Sequence, residues 1–369
     1  MSLSTTDAPV TADRHASPSR RSGVRGAEAF ATGVAALICM LAELPQRLVD
    51  AAGVRAWPLA LVVVTAAVSG ARTVLQAPFT VAPALRRRPR GPSVRQWARQ
   101  ELTVFGVSTA AAALVTLPLY ALLRATPSWW LIAWVAFAVL TVGWQAAMPA
   151  IVGAQAGSLA PAPEPLAERV RALAARAGVG PVDVAVAGKA GRRGCNAYVL
   201  GVGSSRRVVL ESAVAGWPPH LVDQVLAHEL GHWRLGHTAR RLPLTLAAQF
   251  GTLAAAAAAL SSRPLLDWAG ISSAGDPASY PLLLLVGAVV ALPARMLLAW
   301  RDRSQERAAD RFAVALLDRP DDFAAMLERA ADESGVPRRL PWWKRLTASH
   351  PPVDERAAAA RPDLLPTGA

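Results

Sequence analysis

The sequence predicts a mainly α-helical membrane protein, in which several membrane-spanning helices accompany one smaller α+β segment outside the bilayer. Three observations favour this fold class. The 369 residues are 53% hydrophobic and only 18% charged, which is too apolar for a water-soluble chain of this length. Several apolar runs reach roughly 18 residues, enough to cross a hydrocarbon core about 30 Å thick. Arginines gather in short clusters between those runs, as in the loops of membrane proteins.

The charge and the cysteines exclude two other classes of protein. A formal net charge of +13 would suit nucleic-acid binding if the basic residues formed a stripe beside stacking aromatic rings. They lie instead between apolar runs, so no nucleic-acid partner is expected. The two cysteines are Cys39, in an apolar run, and Cys195, in a polar segment. This usage excludes a disulfide framework.

The N-terminal part begins with a polar tail and continues into four predicted membrane helices. Residues 1–25 are polar, contain proline and serine, and bear arginines; they predict a disordered basic tail because they lack the apolar surface that folding requires. Residues 26–157 hold the four helices, near 27–44, 57–81, 102–123 and 129–152. The first resembles a signal peptide, but no small-residue cleavage site ends it, so we interpret it as an uncleaved helix.

The distribution of arginines predicts the orientation in the membrane. The loop at 84–101, between the second and third helices, contains six arginines, whereas the loops after the first and third helices hold only Arg47, Arg55 and Arg124. By the positive-inside rule, the tail, this loop and the segment after the fourth helix face the cytoplasm. We therefore expect a multi-pass protein of the plasma membrane whose α+β segment is cytoplasmic.

The composition changes after the fourth helix. Residues 158–241 predict the α+β segment: an amphipathic helix over 165–179, short strands over 182–188, 196–202 and 206–214, and a polar-faced helix over 221–236. Residues 242–300 return to apolar runs, near 242–260 and 280–300, and predict the fifth and sixth membrane helices. Residues 301–369 predict a charged helical segment to about 334 and then a proline-rich, tryptophan-bearing tail.

The strongest chemical signal is the HELGH motif at 228–232. On an α-helix, residues four apart share a face, so His228 and His232 can bind one metal ion while Glu229 reaches the attacking water. The alternative is a surface helix with two solvated histidines. Gly231 costs such a helix about 1 kcal/mol relative to alanine, which indicates close packing or close approach to a metal at that position.

A catalytic zinc site of this kind needs a third protein ligand. Glu306 and Asp310 are four apart on one predicted helical face, so Glu306 can complete a His, His, Glu set and Asp310 can accept a hydrogen bond from a ligating histidine. The alternative is an exposed charged face, because the neighbouring residues include Asp302, Arg303, Arg307 and Arg311. His237 does not fit the spacing of a three-histidine site, and we interpret it as a cation at a helix C-terminus.

These pieces together resemble the integral-membrane zinc endopeptidases, the gluzincin-type family of the CAAX prenyl endopeptidase and the bacterial heat-shock membrane peptidases. The resemblance runs from about residue 165 to 356 and depends on CNAYVLG with RRVVL, AHELGHWRLGHT, SQERAAD and SHPPVDER, in this order. It implies that His228, His232 and Glu306 bind one zinc ion per chain. It also implies that Glu229 is the catalytic base.

The resemblance implies two further site residues. Asn196 would belong to an edge strand that holds the substrate backbone, and His350 to a His-Pro segment that brings a histidine near the zinc. Each has an alternative, since Asn196 follows a glycine-rich turn and His350 lies in a proline-rich tail. The eukaryotic prenyl endopeptidase typically has seven membrane helices around a large chamber, whereas six are predicted here. Prenylated substrates are therefore not implied.

The sequence thus predicts a membrane-bound zinc metalloendopeptidase that cleaves peptide bonds of membrane-associated or misfolded proteins. Its partners would be a polypeptide substrate and the lipid bilayer. An intramembrane protease is disfavoured, because Asp223, Gln224 and Arg234 flank the motif on the same helix and charges are costly at membrane depth. A signal transducer whose zinc domain senses, or cleaves itself or a regulator, is the alternative function. A transporter would need paired intramembrane charges, and the predicted spans offer little beyond Arg72 and Arg295 near their ends.

Overall fold

The computed structural model describes residues 32–86, 93–155, 159–187, 197–200 and 207–361. It confirms the predicted fold class, since long helices dominate and one small sheet is present. The chain divides into two compact units. Of the described residues, unit 1 comprises 145–155, 159–187, 197–200, 207–240 and 299–361, and unit 2 comprises 32–86, 93–144 and 241–298. Both units are therefore built from segments that are distant in sequence.

The helices outside the sheet region are long and apolar. They are α1 (Thr32–Leu41), α2 (Leu44–Ala51), α3 (Trp57–Arg86), α4 (Val94–Ala125), α5 (Trp129–Gln155), α9 (His237–Ser261), α10 (Arg263–Trp268) and α11 (Tyr280–Leu317). Among the described residues, five stretches could cross a membrane: Trp57–Ala77, Arg95–Ala125, Trp129–Met148, Ala239–Ser261 and Pro277–Leu317. Large side chains such as Leu114 and Val74 are exposed on these helices, as expected for surfaces that face lipid.

The first predicted membrane helix, near 27–44, corresponds in the described residues to α1, which ends at Leu41 and is followed by the short helix α2. Helices α1 and α2 meet at an angle of 66°, and the count of candidate spans rises from five to six only if this bent pair is one span. Glu43, between them, has a left-handed backbone (φ 51°), which α-helical geometry does not allow. Pro45 then lies in the first turn of α2. Proline has no backbone N–H, so it cannot donate a hydrogen bond to a carbonyl oxygen of the preceding turn.

Polar contacts fix the ends of the helices in unit 2. The Tyr120 hydroxyl is buried and lies 2.8 Å from Ser279 Oγ, which belongs to a 3₁₀ turn just before α11. Arg124 donates a hydrogen bond of 2.7 Å to the Gly275 carbonyl oxygen and stacks over the ring of Trp57. These contacts hold the connection before α11 against the C-terminal end of α4.

Unit 1 contains a four-stranded mixed sheet. Its strands are β1 (Leu159–Pro161), β2 (Asp183–Ala187), β3 (Ala197–Leu200) and β4 (Arg207–Glu211), in the order β1-β2-β4-β3. Strands β2 and β4 are parallel, and the other two pairs are antiparallel. Strands β2, β3 and β4 lie within the segments that alternation and β-branched residues predict. The sequence analysis missed β1, because three residues are too few to show a period.

The remaining elements of unit 1 are α6 (Glu164–Arg176), α7 (Ser212–Ala215), α8 (Pro219–Arg234), α12 (Pro320–Ser334), α13 (Trp342–Arg345) and α14 (Val353–Ala360). Their core combines Val208 and Leu210 of β4, Leu226 and Leu230 of α8, and Phe323 of α12, all buried. The helix that carries the HELGH motif is therefore held on its apolar side, which leaves its other side for polar side chains.

The charged segment after residue 300 differs from its prediction. Helix α11 continues without interruption from the sixth apolar run to Leu317, so the helix does not break at residue 300, although the division between the two units falls at Leu298 and Ala299. Asp318 then adopts a left-handed conformation (φ 54°), and Pro320 starts α12 at its first position. The predicted helical segment over 301–334 is thus two helices, because proline favours a new helix start over continuation.

Candidate metal centre

Two helices of unit 1 carry the candidate metal ligands. His228 and His232 lie one turn apart on α8, and Glu306 lies on the part of α11 that belongs to unit 1. One ligand atom from each of the three residues lies within 4.8 Å of the others. His228 and Glu306 are buried and His232 is partly buried. The structure therefore brings together the three residues that the sequence analysis selected as a ligand set.

The ligand atoms face one another. The two Nε2 atoms of His228 and His232 are 3.2 Å apart. Glu306 Oε1 lies 3.3 Å from His232 Nε2, and Glu306 Oε2 lies 3.5 Å from His228 Nε2. Both imidazoles thus direct the same ring nitrogen toward one carboxylate, which is the arrangement in which all three side chains can share a cation.

The donor set fits zinc. Two imidazole nitrogens and one carboxylate are the protein ligands of a catalytic zinc site with an open fourth position. Glu306 is buried, and a buried carboxylate normally has hydrogen-bond donors or a cation beside it. A metal ion between these side chains would neutralise its charge.

The outer ring nitrogens of both histidines have partners. His228 Nδ1 lies 3.0 Å from Asp310 Oδ1, and His232 Nδ1 lies 2.8 Å from His237 Nδ1. A ligating imidazole needs such a partner, because it fixes the tautomer and the orientation of the ring. Asp310 therefore lies where the sequence analysis expected it. Both Asp310 and Glu306 are buried, so the alternative of an exposed charged face is wrong.

His237 is not the helix C-terminal cation that the sequence suggested. It is buried and is the first residue of α9, directly after Gly236, whose positive φ of 65° turns the chain away from α8. Burial and the neighbouring His232 lower the pKa of His237 to about 4. The ring is thus neutral near pH 7 and serves as a polar partner of His232.

Arg356 is a site residue that the sequence analysis missed. From α14 it donates two hydrogen bonds to Asp310, of 2.8 Å from Nε to Oδ2 and 2.6 Å from NH2 to Oδ1. Its NH2 group also lies 3.5 Å from Glu306 Oε2. The buried guanidinium offsets the charge of two buried carboxylates. Arg356 is the last residue of SHPPVDER, and an arginine beside two acidic residues on a short helix predicts a solvent-exposed side chain.

His350 lies beside the ligand set. Its Nδ1 atom is 2.9 Å from Glu306 Oε2, while 65% of its side chain remains exposed. The segment just before His350 is bound to α11, because Arg303 NH1 donates a hydrogen bond of 2.8 Å to the Ala348 carbonyl oxygen. A loose tail that touches nothing is therefore wrong for this part of the chain. Asn196, the other residue that the resemblance implicated, lies outside the described residues.

Electrostatics distinguish the roles of the motif residues. Burial lowers the pKa of His228, but hydrogen bonding with Asp310 and Glu306 outweighs it and raises the pKa to about 9. Desolvation raises the pKa of Glu229, although the nearby histidines partly oppose it. A carboxylate with a raised pKa is a stronger base than one in water. Glu229 thus has the property that proton abstraction requires.

Gly231 allows α8 and α11 to approach closely. A Cβ atom at this position would lie 3.0 Å from Phe312 Cδ1 and 3.4 Å from both the Cα and the carbonyl oxygen of Ala309. Ala309 lies on α11 between Glu306 and Asp310, so the glycine sets the distance at which the two ligand helices meet. Of the two reasons that the sequence suggests for Gly231, close packing or close approach to a metal, this contact is close packing.

Comparisons with known proteins identify relatives of this site. The model of "Peptidase family M48" matches residues 163–363, which include every ligand described above. The chain is 27% identical over 170 residues to "CAAX prenyl protease 1 homolog" of Oryza sativa subsp. japonica, covering 44% of this chain and 39% of that protein. It is 31% identical over 143 residues to the protein of the same name from Caenorhabditis elegans, covering 38% of this chain and 32% of that protein.

A bacterial relative and a solved structure extend these comparisons. The chain is 35% identical over 98 residues to "Protease HtpX" of Nitrosococcus oceani, covering 23% of this chain and 33% of that protein. Its matches therefore span a third to two fifths of these relatives' lengths. The structure is similar to the crystal structure of S. mikatae Ste24p, with a TM-score of 0.59, 16% identity, and coverage of 80% of this chain and 76% of that chain. At this identity the similarity shows the fold.

We expect metal binding to depend steeply on pH. A ligating imidazole must be neutral, and the raised pKa keeps His228 protonated below about pH 9 in the metal-free protein. Zinc binding at pH 7 should therefore release one proton from His228, and apparent affinity should fall as pH decreases. Competition with a fluorescent chelator, corrected for the chelator's own protonation, measures this slope.

Asp310→Asn provides the control for this experiment. The amide carries no charge, so the pKa of His228 should fall and the slope of affinity against pH should flatten. A wild-type affinity that does not change between pH 6 and pH 8 would contradict the raised pKa.

We also expect Gly231→Ala to weaken zinc binding. The added methyl group must displace Phe312 or the α11 backbone, and overpacking of this kind costs about 1–3 kcal/mol, partly offset by alanine's helix preference of about 1 kcal/mol. The resulting shift of Glu306 should lower the affinity on the order of tenfold. Gly251→Ala is the matched control, since nothing lies within 4 Å of its added Cβ. Equal zinc affinities in the two variants would refute this account of Gly231.

Proposed function

The chain belongs to peptidase family M48, and from this membership we propose that it is a membrane-bound zinc metalloendopeptidase. The observation that carries the proposal is the convergence of His228 Nε2, His232 Nε2 and the Glu306 carboxylate within 4.8 Å, on helices that also carry Glu229. Peptide hydrolysis needs a Lewis acid, a base and a water molecule in one place, and these side chains supply the base and the ligands of the Lewis acid.

The proposed metal ligands are His228, His232 and Glu306, which would hold one zinc ion per chain. Bound there, zinc would polarise the peptide carbonyl and lower the pKa of the attacking water. Asp310 orients the His228 ring through Nδ1, and Arg356 holds Asp310 through two hydrogen bonds. His237 has the corresponding role for His232. Both imidazole ligands are therefore supported by a second side chain, which limits the motion of the ligand atoms.

Glu229 is proposed as the general base. It follows His228 directly on α8, and desolvation raises the pKa of its carboxyl group. Its carboxylate takes a proton from the water that attacks the peptide carbonyl and then gives that proton to the amine that leaves. The variant Glu229→Gln keeps the size and the ligands but cannot accept the proton.

His350 is proposed to act on the substrate. Its imidazole lies beside Glu306 yet remains largely exposed, so a bound peptide can reach it. There it donates a hydrogen bond to the carbonyl oxygen, which becomes negative in the transition state. Asn196 is proposed to bind the peptide backbone, on the basis of the resemblance alone.

The proposed substrates are membrane-associated or misfolded proteins. Similarity to CAAX prenyl protease 1 homolog and to Protease HtpX supports a peptidase, and the five candidate membrane spans among the described residues support membrane surroundings. The matches cover at most 39% of those relatives, so prenyl specificity is not carried over. We further propose the plasma membrane as the location and the cytoplasm as the side on which the site lies.

Glu229→Gln should abolish proteolysis while zinc remains bound, because the substitution removes the base and leaves all three ligands. Purified protein would be assayed for casein cleavage and for zinc content, with a chelator-treated sample beside it. Glu168→Gln is the matched control, since Glu168 is exposed on α6, and should behave as wild type. A fully active Glu229→Gln enzyme would refute the proposed role, and a wild-type protein that lacks zinc would refute the metal site.

The proposed orientation predicts that Arg95 and Arg171 lie on the cytoplasmic side. Single cysteines at these exposed positions, in a background without Cys39 and Cys195, should react with a membrane-impermeant maleimide in inverted vesicles and resist it in intact cells. A cysteine at Ser273, in the connection between α10 and α11, should react in intact cells. Opposite accessibility of positions 95 and 171 would contradict the predicted topology.

A further inference from the structure

One short turn of unit 1 exposes an unusual amount of apolar surface. Trp342 is 74% exposed, Trp343 is 56% exposed and Leu346 is 41% exposed. We call residues 342–346 the tryptophan turn; it includes helix α13. Among the described residues of unit 1, the exposed large hydrophobic side chains are these three and Trp300, which is 60% exposed. The other large apolar side chains of the unit's described residues are buried or partly buried, so the turn is a localised feature.

Trp300 lies on α11 close to the point where hydrogen bonds connect that helix to the tryptophan turn. Trp300 ends the apolar part of α11, and Arg303 follows it by three residues, about 4.5 Å along the helix axis. Arg303 NH1 donates a hydrogen bond of 2.8 Å to the Ala348 carbonyl oxygen. The Ala348 amide in turn donates to the Lys344 carbonyl oxygen at 3.1 Å. The turn is thus tied to α11 where the helix changes from apolar to charged residues.

The chemistry of the turn matches the boundary between lipid tails and headgroups. Tryptophan rings are enriched at that level, because they bury an apolar body while the indole N–H stays near water. Lys344 lies over the Trp343 ring, 5.1 Å from its centroid, and Arg345 is half exposed. Basic side chains beside a membrane surface attract anionic lipids. Apolar rings with adjacent cations suit a charged headgroup layer better than they suit water.

We propose that the tryptophan turn docks into the headgroup layer of the bilayer that its own candidate spans cross, with a preference for anionic phospholipids. The change from apolar to charged residues on α11 marks that layer, and the Arg303–Ala348 hydrogen bond holds the turn beside it. The docking adds a lipid contact of the sheet-containing unit to the contacts of the membrane helices. A protein substrate that covers the same rings is the competing occupant.

The docking has a consequence for the active site, and this consequence rests on the proposed function. Three residues separate Leu346 from His350, whose Nδ1 lies 2.9 Å from Glu306. Arg303 holds the segment at Ala348, between the two. A turn that is fixed in the headgroup layer therefore limits the motion of His350. Lipid contact at the turn should support turnover without changing the metal ligands.

Lipid quenching tests the docking directly. Leu346→Cys, in a background without Cys39 and Cys195, keeps both tryptophans and accepts an environment-sensitive fluorophore. The full chain would be reconstituted in phosphatidylcholine vesicles, with and without phosphatidylglycerol, that contain a lipid with a nitroxide near its headgroup. The fluorophore at 346 should be quenched, and more strongly with phosphatidylglycerol. The same fluorophore at Arg171→Cys, on exposed α6, should not be quenched.

Two results would overturn the docking. Equal quenching at positions 346 and 171 would place the turn in water, and a label at 346 that casein shifts but lipid does not quench would indicate a substrate contact. Because the readout needs no catalysis, the same measurement in the Glu229→Gln protein keeps the docking testable even if the proposed peptidase activity fails.

The coupling to His350 has its own test. In vesicles, the double variant Trp342→Ala/Trp343→Ala should keep its zinc and lower kcat for a soluble peptide, with little change in KM. Both rings are exposed, so their removal should leave the thermal unfolding of the unit unchanged. A rise in KM alone would favour substrate contact over lipid docking. Unchanged kinetics would refute the coupling to His350, while the quenching result would still decide the docking.

Discussion

The site depends on how the charges of two buried carboxylates are compensated. Glu306 and Asp310 lie one turn apart on α11, and both are buried. An unpaired buried charge costs several kcal/mol, so these acids require cations or hydrogen-bond donors from other elements. Arg356 comes from α14, and the two imidazoles come from α8. The ionic contacts thereby join three elements that are distant in sequence, and the sheet and α12 hold those elements at the required separation.

The approach of α8 to α11 is the second constraint. The absence of a side chain at Gly231 brings the α11 backbone near Ala309 into contact with α8, and the imidazoles then reach Glu306. In the sequence, 73 residues lie between His232 and Glu306, and most of them belong to unit 2. The chain must therefore complete α9 and the first part of α11 before its ligand set exists. The HELGH motif on α8 does not form the ligand set alone, because the set also requires the long-range contact between α8 and α11.

The sequence predicted the parts of the molecule that have a local signal. Apolar runs revealed the long helices, alternation revealed β2 and β4, and the four-residue spacing revealed the pairs His228/His232 and Glu306/Asp310. Features that depend on tertiary contacts were not predicted from the sequence. Arg356 gains its role only from the burial of Asp310, and His237 becomes neutral only because α9 begins beside His232. Likewise, the bend after α1 depends on the backbone of Glu43, which no periodicity records.

The charge balance of the site explains why its histidines are not equivalent. Three carboxylates, those of Glu229, Glu306 and Asp310, face one permanently charged cation, Arg356. These permanent charges sum to −2, and a divalent cation would neutralise them. A proton on His228 lowers the same negative charge, and this is why the pKa of His228 rises to about 9. His232 is instead paired with the neutral ring of His237. A carboxylate partner strengthens a ligating imidazole more than a neutral ring does, so the two histidines are unequal ligands of the proposed metal.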